Sequence, residues 1–255
     1  MTNMDGVGLA FLVIIVGVPI LCVCVIAGWM VHRSARKKSR EAGGPEPVNV
    51  NTPHMIRDLL LRPDAFFRTV SEGPDTLFAT FLWLLAASIV MSVGLMAAVS
   101  LNYFSSGIGN VLFLTLVAVV LMTLSSVLAW VASSGVVYLM SHLFRGSGSF
   151  KKTLQNTGYA LAPGLALYGL VLLLGTLALA AFQVPVIAFG TPLAGNQLLA
   201  IISRAGTLIA SLLVFLLMTY GLRHARNISP MKAAVSAGVP VLIFLVFVNL
   251  QYLGP

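Results

Sequence analysis

Carboxylates run out early in this sequence. Asp5, Glu41, Glu46, Asp58, Asp64, Glu72 and Asp75 are the seven acids of 255 residues, and none follows in the stretch from Thr76 to Pro255. Proton-coupled membrane chemistry ordinarily sets Asp, Glu or His inside spans, so that stretch argues against a carboxylate-driven pump. Charge of either sign is scarce, 9% of residues against about 25% in soluble domains, which excludes an ordinary soluble domain. Cysteine is nearly absent. Cys22 and Cys24 are the two, and a single C-x-C supplies neither a four-ligand zinc site nor a disulfide framework. They read as thiols buried in an apolar run. HExxH, GxSxG, an intramembrane Asp pair and a Lys within a span are missing as well, which removes the usual activated nucleophiles and metal sites of intramembrane hydrolysis. No catalytic residue, cofactor or metal is expected.

What is present is apolar. Hydrophobic residues make up 58% of the chain and mean hydropathy is +0.98. A transmembrane helix needs about 20 mostly apolar residues, and six stretches supply them: Val7 to Val31, Leu77 to Leu101, Val111 to Met140, Tyr159 to Phe182, Leu198 to Leu222 and Ala233 to Tyr252. The expected fold class is therefore all-α, a polytopic transmembrane helix bundle of six spans. The third run continues to Phe144 and predicts a tilted helix or an interfacial turn. The first run has an acidic flank and is too long for a cleaved signal peptide, so it reads as a retained anchor.

The few bases are positional. Of fifteen Lys and Arg, eight lie between His32 and Thr76, three after the third run (Arg145, Lys151, Lys152) and three after the fifth (Arg223, Arg226, Lys232). The alternate segments hold none, and short loops rich in Lys and Arg stay cytoplasmic. Six spans in a cell membrane with both termini extracytoplasmic is the expected topology. The fifteenth base, Arg204, lies inside the fifth run. It reads either as a side chain snorkelling to the outer headgroups or as an anion or headgroup contact within the bundle. His142 and His224 sit at cytoplasmic span ends with no supporting ligand motif, His32 borders the first span, and His54 lies in a linker.

On the cytoplasmic side, RSARKKSR (residues 33 to 40) sets five bases beside an anionic inner leaflet, each contributing about 1 kcal/mol. No domain is there to present that charge to nucleic acid. Residues 41 to 53 form a Gly, Pro and Asn-rich linker. From Met55 to Val70 apolar and basic residues alternate, and Pro63 divides the stretch into two short amphipathic pieces for the inner interface or for a partner. Phe66, Phe67 and Arg68 are candidate partner or lipid contacts, together with Phe150, Lys151, Lys152 and Tyr159 after the next cytoplasmic turn. GSGSFKK (146 to 152) lacks the spacing of a phosphate loop and reads as a flexible turn. Gly94 with Ala98, Gly164, Gly169 and Gly175, and the pairs Ser125 with Ser126 and Ser133 with Ser134, are close-packing positions. The outer loop of 183 to 197 reads as a hydrophobic loop on the bundle or a short re-entrant dip.

The stretch Arg145-Gly-Ser-Gly-Ser-Phe-Lys-Lys-Thr-Leu, followed by Gly158-Tyr159-Ala-Leu-Ala-Pro163, resembles the turn and membrane span of the Yip family, the Ypt/Rab-interacting integral membrane proteins, in its prokaryotic-type branch. The lead-in Leu-Arg-Pro63-Asp-Ala-Phe66-Phe67 is similar to that family's approach to its first span. The resemblance covers about residues 55 to 253 and rests on the G-Y-x-x-x-P motif of Gly158, Tyr159 and Pro163. It implies a cytoplasmic amino-terminal lead-in followed by five spans with the carboxyl terminus on the far side. This chain adds a span at its start, and Glu72-Gly73-Pro74 only partly matches the eukaryotic D-L-x-G-P motif. Each motif residue also has a reading of its own: Gly158 for close approach, Tyr159 as an interfacial anchor, and Pro163 in the first helical turn, where its missing donor costs nothing.

The organisation read from the chain is a transmembrane anchor at 1 to 31, a basic juxtamembrane segment and linker at 32 to 54, and a Yip-like domain at 55 to 255. The expected role is a scaffold or organiser at the cytoplasmic face. Its partners would be the lipid bilayer with its anionic inner leaflet, a membrane or cytoplasmic protein, or a second copy in a homo-oligomer, with no nucleic acid. The alternative is a small transporter, channel or membrane subunit of a transport complex, its path lined by Gln155, Asn156, Asn249 and Gln251.

Overall fold

The structure is a computed structural model that describes residues 52 to 74, 77 to 103, 108 to 181 and 197 to 250. Those residues form seven α-helices and no strand: α1 Thr52–Leu61, α2 Pro63–Glu72, α3 Leu77–Tyr103, α4 Ile108–Leu143, α5 Phe150–Ala181, α6 Gln197–Arg226 and α7 Pro230–Leu250. The chain divides into two units, Met1–Arg57 and Asp58–Pro255. Of the first, only the start of α1 is among the described residues, and the helices from α2 onward all belong to the second. The expected span at 7 to 31, the basic run at 33 to 40, the cysteine pair and the 183 to 197 loop as far as residue 196 lie outside the described residues.

Four stretches are long and apolar enough to cross a membrane: Leu77–Ala98, Leu116–Leu143, Phe150–Leu179 and Leu198–Arg226. The apolar part of α7, Pro230–Val246, is shorter. The second to sixth expected spans thus fall on α3 to α7. Two boundaries differ. At 36 residues, α4 is one continuous helix to Leu143, about 54 Å at 1.5 Å per residue. α5 starts at Phe150 rather than at Tyr159, because the Ser149 hydroxyl accepts from the Lys152 N–H (3.3 Å) and its carbonyl accepts from the Thr153 N–H (3.2 Å). Pro163 therefore stands inside a helix and not in its first turn. Its missing N–H leaves the Tyr159 carbonyl without its usual donor, which membrane helices tolerate where neighbours pack closely.

The bundle is assembled around α5. A Cβ on Gly94 would run into the Gly169 backbone, and one on Gly169 would run into the Met91 Cα and the Val90 carbonyl. Bare backbone thus meets bare backbone where α3 crosses α5, the arrangement by which helices gain dispersion contacts when lipid offers no hydrophobic drive. Gly164 and Gly175 instead make room for side chains of α6, those of Val214 and Ile202. Ser88 returns its hydroxyl to the Leu84 carbonyl (2.7 Å) and Ser134 to the Trp130 carbonyl (2.6 Å) of their own helices, so burying these two strands no donor. Along α4, Leu116, Leu121, Leu124, Leu128 and Leu139 are exposed, a face suited to hydrocarbon.

Candidate functional site

The polar and charged groups of the described residues concentrate at one end of the bundle, where the turn between α4 and α5, the turn between α6 and α7, and α2 meet. Pro63 opens α2 in the first-turn position it tolerates, with Asp64 following at the positive end of the helix. One face of α2 docks. Phe67 is completely buried beside Gly221, where an added Cβ would lie 3.3 Å from its ring. Removing that ring from water contributes about 1.5–3 kcal/mol. Phe66 meets Tyr159 edge to face with centroids 5.6 Å apart, and Tyr159 is itself buried. The Asn156 amide donates to the Ser71 hydroxyl (2.8 Å) and to the Gly221 carbonyl (3.0 Å). The Lys152 ammonium donates to the Gly73 carbonyl (2.5 Å), satisfying backbone just past the end of α2.

At the other end of α2, Asp64 accepts from Arg223 (3.0 Å) and from His224 Nε2 (2.9 Å). The hydrogen bond from His224 holds the Asp64 carboxyl below its ordinary value, the charges of His224, Arg223 and Arg68 adding to the effect and slight burial opposing it. A carboxylate with a lowered folded-state pKa contributes stability above its ordinary value and loses it as pH falls through the lower one. Helix docking through Asp64 is therefore expected to be intact above pH 3.8 and to weaken below it. Asp64 is half exposed, so salt screens the contribution. The protection factors of amides across residues 63 to 72 should fall in Asp64→Ala at neutral pH and in the parent chain only on acidification. Equal exchange in the two at neutral pH would show that the pair does not hold α2.

Beside this dock lies a clasp. Arg226, the last residue of α6, is 1% exposed. Its Nε donates to the Ser141 hydroxyl (2.9 Å), Nη2 to the Gly146 carbonyl (2.7 Å) and Nη1 to the Gly148 carbonyl. The guanidinium lies 4.3 Å from the centre of the Tyr138 ring, and Tyr138 in turn meets Phe150 edge to face at 5.4 Å. α4 ends with Arg145 in the left-handed region (φ 58°), its N–H on the His142 carbonyl and the Gly146 N–H on the Ser141 carbonyl. α6 ends with Asn227 at φ 50° and the Ile228 N–H on the Arg223 carbonyl. Both are left-handed helix ends of the Schellman kind. The 146 to 152 stretch, expected to be a flexible turn, is thus a pinned one, because the Arg226 fork matches two of its carbonyls.

The structure brings Phe66, Phe67, Lys152 and Tyr159 together inside this end and leaves Arg68, Phe150 and Lys151 exposed there. Gly158 sits where a Cβ would strike Thr80 and the Trp130 indole, and that indole donates to the Leu154 carbonyl (2.8 Å). The G-Y-x-x-x-P residues therefore join α5 to α3, α4 and α2. Tyr159 is a buried packing residue and not an interfacial anchor, since α5 begins nine residues before it and α2 covers its ring. Arg204 is exposed, 22 residues before Arg226 on α6, about 33 Å along the helix. Gln155 and Asn156 are buried between helices. The Asn249 side chain and Gln251 lie outside the described residues. His142 stacks on Tyr138, and among the described residues no three His, Cys, Asp or Glu converge.

Sequence reasoning missed Asp64, His224 and Arg226 as a set. The signal was faint. Arg223 and Arg226 are three apart and share a helix face, and Asp64 is one of two acids between Arg62 and Glu72 inclusive, but nothing in their spacing joins residue 64 to residues 223 and 224.

A protein-family model described as the Yip1 domain matches residues 57–250. An uncharacterized protein of Methanocaldococcus jannaschii is 33% identical over 111 residues, covering 42% of this chain and 79% of that relative. No solved structure matches.

Proposed function

The chain belongs to the Yip1-domain family of multi-pass membrane proteins, and from that membership we propose that it is a non-enzymatic organiser of protein and lipid partners at the cytoplasmic face of the cell membrane. In this reading six spans cross the bilayer with both termini extracytoplasmic, residues 1 to 31 form an anchor, and the basic segment at 32 to 54 lies along the anionic inner leaflet. The observation that carries it is the docking of α2. Phe67 and Tyr159 are spent on holding that amphipathic helix to the bundle, and Arg68, Phe150 and Lys151 remain exposed at the same end. A surface that is rigidly mounted, basic and partly aromatic suits recognition better than a free segment would, because its ordering cost is already met. A photoreactive residue at Arg68 or Phe150 in membranes of the native host is expected to capture a discrete protein adduct or a second copy of this chain. Adducts to bulk lipid alone at both positions would contradict the proposal.

A further inference from the structure

Between α6 and α7, at the same charged end, a cleft of about 310 Å³ opens on the side of the bundle. Its walls are apolar, with Phe215 and Leu216 on α6 facing Met231 and Ala234 on α7, and Tyr220 and Arg223 line it as well. Leu216 and Met231 are 53% and 79% exposed, so the cleft is open laterally toward the surroundings of the bundle. Its volume is at the lower end of small-molecule sites, about 300–1,000 Å³, and a helix about 10 Å across does not fit it.

A single cation, Arg223, lines the cleft. Arg223 uses Nη1 on Asp64, which leaves the other donors of its five-donor fork. Asp64 is also shared with His224, so its single charge is divided. Across the cleft Pro230 opens α7; the Ala233 N–H is taken by the Ser229 carbonyl, and the dipole at that helix start favours an anion. A free inorganic anion would gain nothing from the apolar walls, and a neutral hydrocarbon would gain nothing from Arg223. We propose that this cleft is a binding site for one anionic phospholipid of the inner leaflet, with an acyl chain between Phe215, Leu216, Met231 and Ala234 and its phosphate on Arg223 and the amino-terminal end of α7. The site rests on the chain being a membrane protein and is independent of the organiser surface at Arg68 and Phe150, whose crosslinking result it leaves unchanged.

Native mass spectrometry of the full chain released from mixed micelles tests the site, with phosphatidylglycerol, phosphatidylcholine and inorganic phosphate as probes. One phosphatidylglycerol per chain should be retained in preference to phosphatidylcholine by about fivefold, the ratio given by about 1 kcal/mol for one cation on an anionic headgroup. Arg223→Gln should bring that ratio near one, while Asp64→Asn, which breaks the same ion pair and keeps the guanidinium, should preserve it. Ala234→Phe should remove retention of both lipids by filling the cleft. Met231→Trp does the same from the exposed rim, and decides the matter should Ala234→Phe fail to fold. Equal retention of the two lipids by the parent chain, unchanged retention in Met231→Trp, or inorganic phosphate bound as tightly as the lipid would each overturn the proposal.

Discussion

Arg226→Met is expected to lower stability by about 2–4 kcal/mol, because each buried acceptor stranded by loss of its donor costs about 1–3 kcal/mol and water reaches some of them at this end of the bundle. The Ser141 hydroxyl and the Gly146 and Gly148 carbonyls lose their shared donor at once. Relief of the cation's own burial offsets part of the loss. The Tyr138 ring, which carries the guanidinium on its face, gains nothing in exchange. Arg226→Lys should recover little, since an ammonium cannot reproduce a planar fork that reaches three acceptors and stacks on an aromatic ring. Thermal unfolding in detergent measures the loss, and limited proteolysis within residues 144 to 149 should show the turn released first. A change within about 0.5 kcal/mol of the parent, the range of an unremarkable surface substitution, would remove the clasp as a structural element.

Gly169→Val is expected to separate α3 from α5 and to cost about 3 kcal/mol or more, at or beyond the upper end of ordinary overpacking. The reason for the severity is what the new atoms would meet. The obstacles are the Met91 Cα, the Met91 nitrogen and the Val90 carbonyl, and backbone has no rotamer into which it can retreat. Gly94→Val should be comparably damaging, for its Cβ meets the Gly169 backbone from the other side. Gly135 supplies the internal control. Nothing lies within 4 Å of a Cβ placed there, so Gly135→Ala should be neutral or gain up to about 1 kcal/mol from helix propensity. Size-exclusion profiles and denaturation midpoints of the three variants read the difference. Similar values for Gly169→Val and Gly135→Ala would mean that the α3 and α5 backbones are not in contact.

Much of the fold was legible in one dimension. A helix in hydrocarbon must satisfy its backbone internally, so a long apolar run has few alternatives. The runs at Leu77, Val111, Tyr159, Leu198 and Ala233 all fall on helices. Their ends were less legible, because a helix can continue past the apolar boundary when a cap is available. That is how α5 reaches back to Phe150 and takes Pro163 into its interior. The glycines at 94, 164, 169 and 175 were legible as contact positions, but not which helix each would face. At the charged end, Phe66, Phe67, Lys152 and Tyr159 were named from the sequence as contacts for a partner or for lipid. Their first partners turn out to be one another and the bundle: Tyr159 takes Phe66 and Lys152 takes the end of α2.

By itself the sequence determined an all-helical membrane chain of the Yip type with its bases on alternate loops, since apolar length, charge placement and a short motif are all properties of consecutive residues. Only the tertiary structure decided which of those basic side chains the protein itself engages. Lys152 reaches Gly73, Arg223 and His224 reach Asp64, and Arg226 reaches Gly146 and Gly148, across separations of 78 to 160 residues. The physical reason is that a buried cation needs several acceptors in a fixed geometry. Helices brought together by bare backbone at Gly94 and Gly169 help to set that geometry at their ends, where no local pattern records it.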